Sequence, residues 1–208
     1  MRKENLKKSP ISNLKLTTKE TTRGFLSDEE LGLLIKKGIE NKILEEVRDI
    51  FVFSCYTGYA FIDIKNLSSQ NLHQDSDGQK WIITNRPKTA STSNVPLLPI
   101  AQELVEKYEN CPKSVNKGRL FPMKSNFHTN RLLKEIGKLC GVETKLTCHL
   151  ARHTFATTVT LSNGVPIETV SAMLGHKSLA TTKIYAKVLN VKVGNDMKIL
   201  QDKLFGVK

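Results

Sequence analysis

The sequence predicts a mainly α fold with a small antiparallel β-sheet, an α+β class, on three observations. Apolar residues recur at helical spacing over most of the 208 residues, behind recognisable capping residues. Only one stretch is rich in β-branched and aromatic residues, Trp81-Ile82-Ile83-Thr84, and Val95-Pro96-Leu97 resumes an extended pattern after a polar turn. Glycines stand where helices should stop, at Gly58 and Gly141.

The elements follow in order. Residues 1–22 are rich in Lys, Ser, Thr and Asn without an apolar period, and read as a linker or the remnant of a preceding region. Ser27-Asp28-Glu29-Glu30 is a capping box ahead of Leu31, Leu33, Leu34 and Ile35. Val47, Ile50, Phe51 and Ser54 place a longer helix over Ile43 to Thr57. The two extended segments form a hairpin with Arg86, Pro87 and Lys88 near its bend. Pro96 cannot donate to a ladder, which puts the second strand at a sheet edge. Helices return at Ala101 to Tyr108 and Asn126 to Cys140, then at His149 to Leu161, Pro166 to Met173 and Ser178 to Val188. Pro166 suits a first helical turn and Ser178 a cap. A last amphipathic segment, Met197 to Phe205, follows an expected hinge at Gly194-Asn195.

The formal net charge of +12 and an isoelectric point near 9.6 favour a polyanionic partner, either nucleic acid or an anionic membrane surface. A generally basic protein is the bland alternative. No run of about 18 apolar residues exists, so membrane insertion is not expected. The first residues stay polar, unlike a secretory signal. Cys55, Cys111, Cys140 and Cys148 lack zinc-ligand spacing. Cys55 and Cys140 fall in apolar helical patterns, which suits buried thiols in a reducing cytoplasm.

The chemistry-bearing residues crowd the C-terminal half. His149 and Arg152 stand one turn apart on a helix face, His176 follows a glycine, and Tyr185 lies in the next short helix. Arginine holds phosphate oxygens in a planar fork, histidine donates or relays a proton, and a phenol can attack phosphorus. Taken singly, each residue has a plain reading. His149 suits a core histidine, Arg152 a surface ion-pair partner, His176 the exposed residue after a cap, and Tyr185 a half-buried aromatic.

Together, Cys148-His149-Leu150-Ala151-Arg152-His153-Thr154-Phe155-Ala156-Thr157 resembles the His-x-x-Arg-His-Thr-Phe-Ala box of tyrosine recombinases. Leu174-Gly175-His176 and Thr181-Thr182-Lys183-Ile184-Tyr185 resemble that family's next two boxes, and the spacing between them also matches. The resemblance runs more loosely from Phe25 to about Val188. It implies the tyrosine recombinase catalytic-domain fold over residues 23–190 and a helical tail at 191–208 that docks on a neighbouring protomer or on its own domain. Tyr185 would form a 3′-phosphotyrosine link and free a 5′-hydroxyl. Arg152 would clamp the non-bridging oxygens with His149 assisting at the same phosphate, and His176 would hydrogen-bond the phosphate or the attacking phenol. Lys88 would protonate the leaving oxygen, and Asp63 would support the arginines. No metal and no cofactor are implied.

One departure stands out. The family usually carries Thr-Gly-x-Arg, whereas Thr57-Gly58-Tyr59-Ala60 ends in alanine. Losing such a donor should cost on the order of 10² or more in rate, by comparison with oxyanion donors. Arg86, two residues before Lys88, is the candidate substitute, unless it simply contacts the DNA backbone. The Arg-x-Lys arrangement resembles integrases of conjugative transposons from Bacteroides-like bacteria.

The resemblance implies double-stranded DNA as partner, a tetramer on DNA and a monomer when free. The Phe127-His128-Thr129-Asn130-Arg131 stretch opens a helix that suits a DNA groove or a purely structural role. A separate DNA-clamping domain would need roughly 80–100 residues, so the sequence reads as a catalytic-domain fragment or a short protein. The rival readings are a type IB topoisomerase-like enzyme and a DNA-binding relative without catalysis.

Overall fold

The computed structural model describes residues 24–86, 91–186 and 190–205. The expected linker at 1–22, Lys88 and Val188 lie outside them. Helix α1 (Asp28–Lys36) starts at the expected capping box: Ser27 Oγ accepts from Glu30 N–H, and Glu30 Oε2 accepts from Ser27 N–H. Glu30 Oε1 also accepts from Thr144 N–H at 3.0 Å, tying α1 to the loop before the histidine-arginine helix.

Helix α2 (Lys42–Thr57) is the central strut, capped by Asn41 and ended by Gly58 at φ 71°. One face packs Leu44, Val47 and Phe51 against Leu31, Leu34, Leu133, Ile136 and Leu146. The opposite side packs Ile50 and Phe53 against the sheet and Phe121. Buried Asp49 accepts from Lys107 Nζ at 2.7 Å, Tyr108 hydroxyl at 2.8 Å and Arg48 Nε at 2.6 Å. A buried carboxylate needs such partners, and these fasten the next long helix to α2.

After α3 (Phe61–Asn66) comes a three-stranded antiparallel sheet in the order β1 (Leu72–Gln74), β2 (Lys80–Arg86), β3 (Ser91–Pro96). The hairpin and the edge position of Pro96 match expectation. Strand β1 was not anticipated, because Leu72-His73-Gln74 is too short and polar to show alternation. Helices α4 (Pro99–Glu109), α5 (Pro112–Val115) and α6 (Asn126–Cys140) follow, and α6 ends on Gly141 at φ 69°.

The single helix expected over His149 to Leu161 is instead three segments. Helix α7 (Cys148–Thr154) passes into a π-helical turn at Phe155–Thr160 and a 3₁₀ turn at Leu161–Asn163. Threonine hydroxyls loosen the backbone here: Thr157 donates to the His153 carbonyl and Thr160 to those of Phe155 and Ala156. Thr158 donates outward to the Leu26 carbonyl, and Leu26 N–H returns a bond to Thr154 Oγ1. Helices α8 (Ile167–Met173), α9 (Leu179–Ala186) and α10 (Asn190–Phe205) complete the fold. Pro166 is the cap before α8, just outside its first turn. The expected hinge at Gly194-Asn195 is absent, because α10 runs through it. A glycine costs a helix only about 1 kcal/mol, which the periodic residues on both sides offset.

Candidate active site

Arg152 anchors the site. It is 6% exposed on α7, whose first turn is fixed by Thr147 Oγ1 accepting from Leu150 N–H and Asn130 Oδ1 accepting from Cys148 N–H. Its Nη1 donates to the Gly58 carbonyl and its Nη2 to the Leu174 carbonyl, both at 2.7 Å. Nη2 also meets His176 Nε2 at 3.0 Å.

The Leu-Gly-His box has a clear structural job. Leu174 is fully buried, Gly175 takes φ 64°, and His176 N–H closes a Schellman-type bond to the Ser171 carbonyl at 3.0 Å. That turn delivers the imidazole to Arg152. Arginine cannot accept, so Nε2 must carry the lone pair and the proton sits on Nδ1. Nδ1 lies 2.8 Å from Thr182 Oγ1 on α9, and donates to it.

Thr182 and Tyr185 share the inward face of α9, three residues apart, and both are buried. The Tyr185 ring packs with Phe155, Ala156, Leu161, Val170 and Leu174. It lies parallel to the His176 ring, 6.5 Å between centroids, and 5.1 Å from His153. His153 in turn meets His149 edge-on at 4.5 Å, and His149 is exposed. Four of the expected residues, His149, Arg152, His176 and Tyr185, therefore belong to one connected cluster. Burial pushes the thiol of Cys148, beside His149, up to about 11.

The Thr-Gly turn closes the cluster from the other side. A Cβ on Gly58 would overlap the Phe155 ring and approach Leu174 Cδ2 to 2.9 Å. Ser54 Oγ holds the Tyr59 carbonyl, and the Tyr59 hydroxyl donates to the carbonyls of Ser93 at 3.0 Å and Ile82 at 3.1 Å. Ser93 Oγ donates to the Met173 carbonyl, so the hairpin runs beside the end of α8, just before the turn that carries His176. Arg86 ends β2 opposite Ser91. Its side chain and all of Lys88 lie outside the described residues. Asp63 accepts from Ala60 N–H at 3.2 Å, capping α3.

Two participants escaped the sequence reading. His153 stands one turn after His149, and Thr182 one turn before Tyr185, so helical spacing from residues already singled out would have found both. Among the described residues, no group of three or more His, Cys, Asp or Glu is placed to hold a metal ion. None of their helices is long and apolar enough to cross a membrane.

The chain and its fold have known counterparts. The profile of the phage integrase family matches residues 25–191. Tyrosine recombinase XerA of Pyrococcus furiosus is 29% identical over 177 residues, which cover 78% of this chain and 57% of that protein. Tyrosine recombinase XerD of Lacticaseibacillus casei is 27% identical over 202 residues, 91% of this chain and 67% of that one. A tyrosine recombinase of Pseudothermotoga lettingae is 34% identical over 100 residues, 45% of this chain and 35% of that one. The chain thus spans about a third to two thirds of the length of these curated relatives. The crystal structure of XerA recombinase superposes with a TM-score of 0.68 at 24% identity, covering 86% of this chain and 65% of that one. The Tn1549 transposon integrase in complex with circular intermediate DNA gives 0.59 at 18% identity, covering 88% and 68%. Those structures share the fold, and the sequence match over 25–191 decides the rest: the chain belongs to the phage integrase family.

Proposed function

We propose that residues 23–190 form the catalytic domain of a site-specific DNA recombinase that cuts and rejoins strands without metal or nucleotide cofactor. The observation that carries this is the Arg152–His176–Tyr185 cluster, assembled at the family spacing. The Tyr185 phenol passes its proton to His176 Nε2 as its oxygen attacks the scissile phosphorus. A phosphotyrosyl bond forms at the 3′ side, the bond to the 5′ oxygen breaks, and Lys88 protonates that leaving oxygen. Arg152 holds the non-bridging oxygens, assisted by His149, while His176 hydrogen-bonds the attacking phenol and Asp63 supports the arginines. In the free protein the guanidinium is held by neutral acceptors, which a phosphate can displace because its full negative charge adds ionic attraction and a bidentate fit to the planar fork. Rejoining reverses the exchange.

Arg86 supplies the cation that Ala60 lacks, in the Arg-x-Lys arrangement that resembles integrases of conjugative transposons from Bacteroides-like bacteria. The partner is double-stranded DNA, consistent with a net charge of +12, in the bacterial cytoplasm. The chain acts as a tetramer on DNA and is monomeric when free. Residues 191–208 form a tail that docks on a neighbouring protomer, supported by the exposed apolar residues Met197, Leu200, Leu204 and Phe205 on α10.

The test is incubation with nicked duplexes that trap the covalent intermediate. The native chain gives a shifted band and Tyr185→Phe gives none; an adduct that persists in the variant refutes the nucleophile. Ala60 favours a second reading, a DNA-binding relative without catalysis. Retarded DNA with no covalent band from the native chain would establish that one.

A further inference from the structure

We infer that Thr182 is a positioning residue that locks His176 in its Nδ1-protonated form and fastens the Tyr185 helix to Arg152. The inference rests on the catalytic reading above. The lock is a directed chain: Arg152 Nη2 donates to His176 Nε2 at 3.0 Å, and His176 Nδ1 donates to Thr182 Oγ1 at 2.8 Å. Each link fixes the direction of the next. Arginine has no lone pair to offer, so Nε2 accepts; Nδ1 then holds the only ring proton and needs an acceptor. Thr182 supplies it from a fully buried position on α9, one turn from Tyr185. Three separate segments meet in this chain: α7 through Arg152, the turn after α8 through His176, and α9 through Thr182. Arg152 adds the Gly58 carbonyl, extending the lock to the Thr-Gly turn.

The chemical consequence is a ring that presents one lone pair at a fixed point. With Thr182 in place, Nε2 faces the guanidinium and is oriented to accept a proton from whatever replaces that contact. Without it, the Nδ1–H loses its partner and the ring turns or changes tautomer. Tyr185 then loses a link between its helix and the cation that holds the phosphate.

The test compares Thr182→Val, which keeps the shape and removes the acceptor, with Thr182→Ser, which keeps the hydroxyl. Ring ¹⁵N spectra of His176 in the free protein report the tautomer directly. The native chain and Thr182→Ser should show one Nδ1-protonated species, and Thr182→Val a mixture. On nicked DNA at saturation, Thr182→Val should form adduct about tenfold more slowly, the lower end of the loss seen when a ligand-orienting partner is removed. DNA affinity should stay within about twofold, since only a transition-state interaction is touched. Unchanged imidazole signals in Thr182→Val, or an equal loss of rate in Thr182→Ser, would overturn the assignment. If the native chain makes no adduct, the catalytic reading fails, while the spectra still decide whether Thr182 sets the tautomer.

Discussion

On α7, Arg152 is gripped by the carbonyls of Gly58 and Leu174 and by His176, so its position is set before any DNA arrives. At the Thr-Gly turn, where the family pattern places a second arginine, Ala60 only begins a helix and receives a cap from Asp63. The turn nevertheless has clear architectural duties. Gly58 bends the chain and orients Arg152, and Tyr59 pins the hairpin by its hydroxyl. The contrast separates two functions that one motif usually combines. The scaffold of the turn is held by the segments that lean on it, whereas the cation it lacks is proposed to come from Arg86.

Breaking the intact half should have the largest effect. Arg152→Lys keeps the charge and loses the fork, and adduct formation should fall on the order of 10³, in the range of a lost transition-state donor. A quantitative adduct assay checks this; a fall below about tenfold would remove Arg152 from the centre of the mechanism.

The defective half predicts a reciprocal rescue. Arg86→Ala should reduce cleavage by about 10² with little loss of DNA binding. Restoring the family residue through Ala60→Arg should recover most of that loss, yet change the native chain less than about tenfold. Measured as a double-mutant cycle, equal gains in both backgrounds would mean that Arg86 does not fill the gap. Equal losses of binding and cleavage in Arg86→Ala would make it a plain DNA contact.

The smallest effect belongs to the shared scaffold. Gly58→Ala places a side chain at φ 71° against Phe155 and Leu174, and should lower stability by roughly 2–3 kcal/mol in urea unfolding. Displacement of its carbonyl should also slow adduct formation about tenfold through Arg152. Unaltered stability would show that the turn is looser than its packing suggests.

The contrast also explains what could be read from the residues alone. Capping boxes, glycine stops and apolar spacing located α1, α2 and α6 closely, because those signals are local. The four clustered site residues were legible through their spacing. The π turn at Phe155–Thr160 was not, since it depends on threonine hydroxyls choosing between their own helix and Leu26, a long-range contact. The Gly194-Asn195 hinge failed because intrinsic propensity is a weak guide inside a continuous helix. The carbonyl grip on Arg152 was invisible, as backbone acceptors carry no signature in side-chain identity.

The central claim is that one phenolic oxygen becomes bonded to DNA. Trapped adduct can be digested with nuclease and trypsin, and the remaining nucleotide located by mass spectrometry. The account predicts a phosphate-linked remnant on Tyr185, in the peptide that follows Lys183. A remnant on any other residue, or a covalent complex whose Tyr185 peptide is unmodified, would contradict it.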